Sequence, residues 1–144
     1  TSASFHGLGV VPYSPLARGV LSGKYVPGVA PDNTTRAGRQ DKRILETEWR
    51  EESLVVAQKI NEYTQSRGIG TVEFAIAWVL HNQAVSSTIV GPRTEEQWNT
   101  YQKALDVRLT AEDEAFVDTL VIPGHASTWG YNDPTHFVSG RPVA

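Results

Sequence analysis

"VVPYSPLARGVLSGKY", residues 10–25, is the stretch on which the reading of this chain turns. The apolar run 8–13, "LGVVPY", reads as a short buried strand, and Pro12 puts it at a sheet edge or a strand end. A strand that stops at Tyr13-Ser14-Pro15 presents a ring and a hydroxyl at its C-terminal edge, where α/β proteins bind ligands. Gly19 and Gly23 permit tight turns and close backbone approach, so main-chain amides can face an anion beside Lys24. A stacking ring, amides, a hydroxyl and a cation together suit a nucleotide. A strand-end core aromatic followed by plain turn residues accounts for the same pattern, and the stretch is neither a P-loop nor GxGxxG.

A second stretch, "TIVGPRTEEQ" at residues 88–97, has a related design. The β-branched segment 85–91, "VSSTIVG", predicts a second strand bounded by Gly-Pro. Thr94 and Gln97 have capping-box spacing, with the Thr94 hydroxyl accepting from the Gln97 amide and the Gln97 side chain reaching back. Arg93 stands just before that helix start. Free helix amides beside a guanidinium suit a phosphate, and the guanidinium plane can stack on a base. An ordinary surface arginine beside an ordinary cap is the plainer alternative.

The rest of the chain supplies helices. Apolar residues from Glu46 to Arg67 fall at helical spacing with Gly68 as C-cap, and Thr71 is expected to cap a second helix running through His81. The helix begun at Thr94 should reach about Leu105, and Thr110 should cap "AEDEAFVDTL", whose early acids favour a helix N-terminus. Residues 26–43 read as a long exposed loop of the kind that often covers a site, and everything after Pro123 reads as irregular. Strands alternating with helices indicate parallel βα units. Two strands are too few for a stable parallel sheet, so the pieces look like part of a larger α/β fold.

Composition narrows the function classes. The chain has 144 residues and a formal net charge of −3, which offers nucleic acid no broad basic field. No stretch approaches the roughly 20 apolar residues of a membrane span, so no membrane partner is expected. Zero cysteines exclude disulfides and thiolate metal sites and fit a cytoplasmic setting. The four histidines, His6, His81, His125 and His136, lack metal-ligand spacing, and His81 reads as helix-end structure. The absence of methionine and the early strand predict further chain before Thr1.

"PYSPLARGVLSGKY" and "STIVGPRTEEQW", with "VEFAIAWVLHNQ" between them, closely resemble the C-terminal portion of the aldo-keto reductases. The branch most resembled is that of potassium-channel β subunits and bacterial auxin-induced-protein-like reductases. The resemblance extends to about Leu120. It implies an α/β fold in which residues 1–144 form a single partial domain, the C-terminal part of a (β/α)8 TIM barrel. Residues 8–13 would be strand seven and 86–90 strand eight.

The resemblance further implies NADP(H) as cofactor and a small-molecule carbonyl substrate, an aldehyde or ketone reduced to an alcohol. Tyr13 would stack on the nicotinamide, and Ser14, Pro15, Leu16, Ala17 and Arg18 would follow the pyrophosphate with Lys24 nearby. Arg36 or Arg39, on the covering loop, could touch the cofactor. Gly91, Arg93 and Gln97 match the adenosine end, with Arg93 facing the 2′-phosphate. Tyr101 departs from the family's usual Asn at the adenine edge. The family's catalytic Asp, Tyr, Lys and His would precede Thr1, so the chain alone is expected to be inactive. It would associate with the missing N-terminal part or with itself. The alternative is a non-catalytic NADP-binding or regulatory and interaction module.

Overall fold

The computed structural model describes residues 2–131. Among these described residues six α-helices follow one another: α1 (Ser2–His6), α2 (Lys42–Thr47), α3 (Glu51–Ser66), α4 (Thr71–His81), α5 (Glu95–Lys103) and α6 (Ala111–Leu120). Irregular 3₁₀ segments occupy Ala17–Ser22 and Ala104–Asp106.

The two expected strands are reduced to a pair of parallel bridges, Val10 with Val85 and Tyr13 with Ile89. The Ser86 amide donates to the Val10 carbonyl and the Ile89 amide to the Pro12 carbonyl, both at 2.9 Å. Pro12 has no N–H to return a bond, which limits the ladder on its segment. The bridges are three steps apart on the first segment and four on the second, so one extra residue bulges out between them. The direction of pairing agrees with the parallel βα reading; the extent of the strands does not. With one neighbour each among the described residues, the segments lack there the further ladders that extend a parallel sheet.

The expected helix from Glu46 to Arg67 is two helices. The Glu48 and Trp49 amides both close on the Ile44 carbonyl at 2.9 Å, and Arg50 is extended (φ −125°, ψ 145°). The break sets Trp49 edge-on to Tyr25, with ring centroids 4.9 Å apart. Beyond it α3 buries Leu54, Ala57, Ile60 and Thr64, a single stripe at helical spacing. Leu54 and Ala57 join Val20, Tyr25, Ala37 and Ile44 in the core. Gly68 ends α3 as expected: its φ of 67° lets the Gly68 and Ile69 amides bond back to Gln65 and Thr64.

Thr71 does not cap α4. Gly70 holds that position, and the Thr71 hydroxyl lies inside, 3.0 Å from the Thr64 hydroxyl and donating to Asn61 Oδ1 at 2.8 Å. The loop at 26–43 is shorter than expected, because α2 begins at Lys42. It is also anchored: Ala37 is fully buried, and its amide donates to the Tyr25 hydroxyl at 3.4 Å. The helix begun at Thr94 turns 3₁₀ at Ala104. No helix or strand occurs over residues 121–131, in line with the irregular reading, while His136 and Phe137 lie outside the described residues.

Thr110 caps α6 in a full capping box with Asp113. Asp113 is fully buried, accepts from the Tyr63 hydroxyl at 2.9 Å and pairs with Arg67, which ties α6 to α3. Tyr63 stacks on Phe116 at 3.8 Å beside this carboxylate. Removing one partner of a buried ionic set leaves the other uncompensated, so Asp113→Ala should cost about 3 kcal/mol of unfolding free energy. Tyr63→Phe should cost about 1 kcal/mol. Urea melts of both, with exposed Glu112→Ala as reference, test this; a midpoint for Asp113→Ala equal to the reference would refute it.

Candidate functional site

The paired segments bring their two following loops to one cleft of about 1060 Å³. From the first loop come Tyr13, Ser14, Pro15, Leu16 and Arg18, with Lys24 farther along. Arg36 and Arg39 enter from the anchored loop. Gly91, Arg93, Gln97 and Tyr101 complete the opposite wall. Ala17 is the exception among the expected site residues: it packs on the core beside Val20 and faces a different cavity.

The first loop is held in an uncommon backbone form. Ser14, Ala17 and Arg18 all have positive φ, between 46° and 56°, and Gly19 follows at 98°. Non-glycine residues in that region cost of order 1–3 kcal/mol each and collect at ligand clamps and switches. Packing of Val20 and Leu21 against the core restrains the segment. Tyr13 stands at its start and is 63% exposed.

Charge is concentrated here. The cleft is lined by five cations, Arg18, Lys24, Arg36, Arg39 and Arg93, against the single carboxylate of Glu96, although the chain as a whole is negative. Arg18 Nη1 lies 3.1 Å from Glu48, with only 13% of the Arg18 side chain exposed. Arg36 forks onto Asp41 at 2.9 and 3.1 Å. Its hydrogen bonds hold the Asp41 carboxyl below the usual carboxylate range, helped by the Ile44 amide that Asp41 caps. Lys24, Arg39 and Arg93 meet no carboxylate within 4 Å among the described residues. Lys24 Nζ sits 3.0 Å from where a Cβ on Gly19 would stand, so the glycine leaves room for the ammonium over the strained turn.

On the other wall the Thr94 hydroxyl accepts from the Gln97 amide at 3.2 Å, as the cap spacing predicts. The Gln97 side chain reaches one residue farther back than expected and accepts from the Arg93 amide at 2.8 Å. That bond fixes the backbone from which the Arg93 guanidinium projects. Glu96 and Thr100 also face the cleft, one turn apart on α5. Thr100 stands three positions after Gln97, so helical spacing was an available signal for it, whereas Glu96, next to Gln97, carried none. Burial pushes the Tyr101 phenol up, while the nearby Arg93 charge pulls it down.

His6 and His81 are exposed at the ends of α1 and α4, and His81 matches its helix-end reading. Trp129 is exposed and stacks on His125, whereas Tyr131 lies on the Arg50 guanidinium at 3.8 Å; neither ring lines the cleft. Among the described residues no helix is long and apolar enough to cross a membrane.

Residues 2–122 match the model of the Aldo/keto reductase family. The chain belongs to the aldo/keto reductase family. The family's fold is a (β/α)8 barrel. Over 126 residues the chain is 29% identical to the L-glyceraldehyde 3-phosphate reductase of Escherichia coli O157:H7, covering 86% of this chain and 36% of that protein. A probable voltage-gated potassium channel subunit beta of Oryza sativa subsp. japonica is 36% identical over 104 residues, 72% of this chain and 32% of the relative. The uncharacterized oxidoreductase YrpG of Bacillus subtilis strain 168 is 36% identical over 107 residues, 74% of this chain and 30% of the relative. The chain thus spans about a third of the length of these curated relatives. The branch agrees with the resemblance drawn from the two motifs.

The Tyr101 environment makes a direct test of the wall geometry. The phenol, read as the near-ultraviolet difference between the wild type and Tyr101→Phe, should titrate above the ordinary tyrosine value. Arg93→Ala should move it higher still. Its raised value means that the phenol's neutral form is favoured in the fold, so stability falls as pH rises through this titration. A Tyr101 titration unmoved by Arg93→Ala would separate the two side chains.

Proposed function

We propose that this chain is the C-terminal, cofactor-holding part of an NADPH-dependent aldo/keto reductase that reduces aldehydes or ketones to alcohols. The observation that carries this reading is the convergence of an exposed Tyr13 ring and five cations on one cleft beside a parallel bridge pair. A dinucleotide with phosphate groups along its length fits that donor set. Among the described residues three of the cations, Lys24, Arg39 and Arg93, meet no carboxylate within 4 Å, which suits an incoming anion.

In this reading Tyr13 offers its ring to the nicotinamide and limits which face of it is open. The Ser14–Arg18 turn and Lys24 receive the pyrophosphate. Arg39 and Arg36 approach from the anchored loop, with Arg36 held in place by Asp41. Gly91, Arg93 and Gln97 form the adenosine end, where Arg93 takes the 2′-phosphate and Tyr101 offers a ring in place of an amide. The bound cofactor would supply hydride to a carbonyl carbon, while protein groups position and polarise. In this reading none of the described residues is assigned as donor of the proton needed at the carbonyl oxygen: Tyr13 and Lys24 are given to the cofactor, and His6 and His81 lie at exposed helix ends. The chain by itself therefore binds without turnover.

Large apolar side chains along the paired segments, Leu8, Val11 and Ile89, are more than half exposed. They suit coverage by the remainder of a barrel or by another copy of the chain. A cytoplasmic setting belongs to the same reading.

Fluorescence titration of the chain with NADPH and NADH tests the proposal. NADPH should bind more tightly, and Arg93→Ala should weaken it about tenfold, the loss of roughly 1.4 kcal/mol, with NADH little changed. Equal affinities for the two nucleotides would sink the role of Arg93, and binding of neither would sink the cofactor reading.

A further inference from the structure

A second cavity, of about 270 Å³, lies among the 3₁₀ segment Ala17–Ser22, α3, α4 and α6, and Pro15 borders both it and the larger cleft. Its walls are apolar: Phe74 and Trp78 come from α4, Val117 and Leu120 from α6. It has room for about nine waters at the roughly 30 Å³ each occupies in the liquid, enough for an aromatic ring or a short alkyl chain.

Two charged residues line it, Glu48 and Arg50. Glu48 is already neutralised by Arg18 at 3.1 Å. Arg50 is not neutralised: among the described residues no carboxylate lies within 4 Å of it. Among the described residues its guanidinium donates to two hydroxyls, Thr128 at 2.9 Å and Ser127 at 3.4 Å, and it lies against the Tyr131 ring. Its Nη1 is buried with no hydrogen-bond partner. A guanidinium cannot lose its proton to escape this position, so Arg50 keeps its charge at the cavity wall while one of its donors is left without an acceptor. The hydroxyls around it are themselves engaged: Thr128 Oγ1 donates to Glu52 at 3.1 Å, and Ser53 Oγ lies 2.7 Å from Ser127 Oγ.

We propose that this cavity binds a small monocarboxylate with an aryl or short-alkyl body. The carboxylate meets Arg50, and the body lies among Phe74, Trp78, Val117 and Leu120. One uncompensated cation on an apolar chamber selects a single negative charge with apolar bulk. The larger cleft, where five cations converge, selects a ligand with several negative charges. The two sites are therefore chemically distinct, and this inference does not depend on the cofactor reading.

Phenylacetate is the probe, with its neutral isostere phenylacetamide as control. The readout is the Trp78 indole N–H signal in nitrogen–proton correlation spectra, assigned by its loss in Trp78→Phe; this N–H donates to Glu114 at 3.2 Å beside the cavity. Phenylacetate should shift the signal saturably, and phenylacetamide and Arg50→Gln should each weaken binding about tenfold or more. Arg93→Ala should leave it within about twofold, because Arg93 lines only the other cleft. Equal binding of the amide, an unchanged Arg50→Gln, or loss with Arg93→Ala would overturn the proposal. Should Arg50→Gln lose its helical circular dichroism, Val117→Trp decides, since it fills the chamber and keeps Arg50; undiminished binding there would overturn it equally. NADPH binding, present or absent, does not alter this outcome.

Discussion

Two backbone hydrogen bonds, from the Ser86 and Ile89 amides to the Val10 and Pro12 carbonyls, join parts of the chain that are otherwise distant in sequence. The Thr88 hydroxyl adds a third contact to the Pro12 carbonyl at 3.1 Å, across 76 positions. Pro12 can only accept, and it accepts twice. Tyr13 and the strained turn leave from one side of this junction, and Gly91, Arg93 and α5 leave from the other. The cleft exists because both exits point the same way, as parallel pairing requires. If the junction opened, five cations would remain but would no longer face one volume.

Packing behind the junction sets the shape of each exit. Ser14, Ala17 and Arg18 hold backbone angles that short peptides avoid, and no glycine relieves them. Val20 is buried against Leu54 and Ala57 of α3, and Tyr25 against Trp49. The interruption between α2 and α3 is what lets Trp49 reach Tyr25. It also delivers Glu48 to Arg18, so the helix break, the aromatic pair and the ion pair are one local solution.

Features encoded by neighbouring residues were the most legible in the sequence. The Thr94 and Thr110 caps and the Gly68 terminus all follow from spacings of a few positions. The direction of strand pairing was legible from the order of elements. What stayed hidden depends on tertiary neighbours. The helix break at Glu48–Arg50 answers to Tyr25, more than twenty positions away. Thr71 looked like a cap, but its hydroxyl is needed inside by Thr64 and Asn61. Ala17 sits between two site residues in sequence, yet the positive φ values around it turn its methyl away from the cleft. The exposed lengths of the two segments depend on partners that neither motif contains.

The five cations gathered at the cleft have a consequence for the chain as a charged body. With a net charge of −3 overall, the molecule carries its surplus acid elsewhere and a basin of opposite sign at one place. Such a distribution draws small anions toward one region while discouraging acidic macromolecules from the rest of the surface. Its reach is about 10 Å at 0.1 M salt and roughly three times that at 0.01 M. Ionic strength therefore acts on this protein as a dial on capture rate, felt at the mouth of the cleft well before any contact forms.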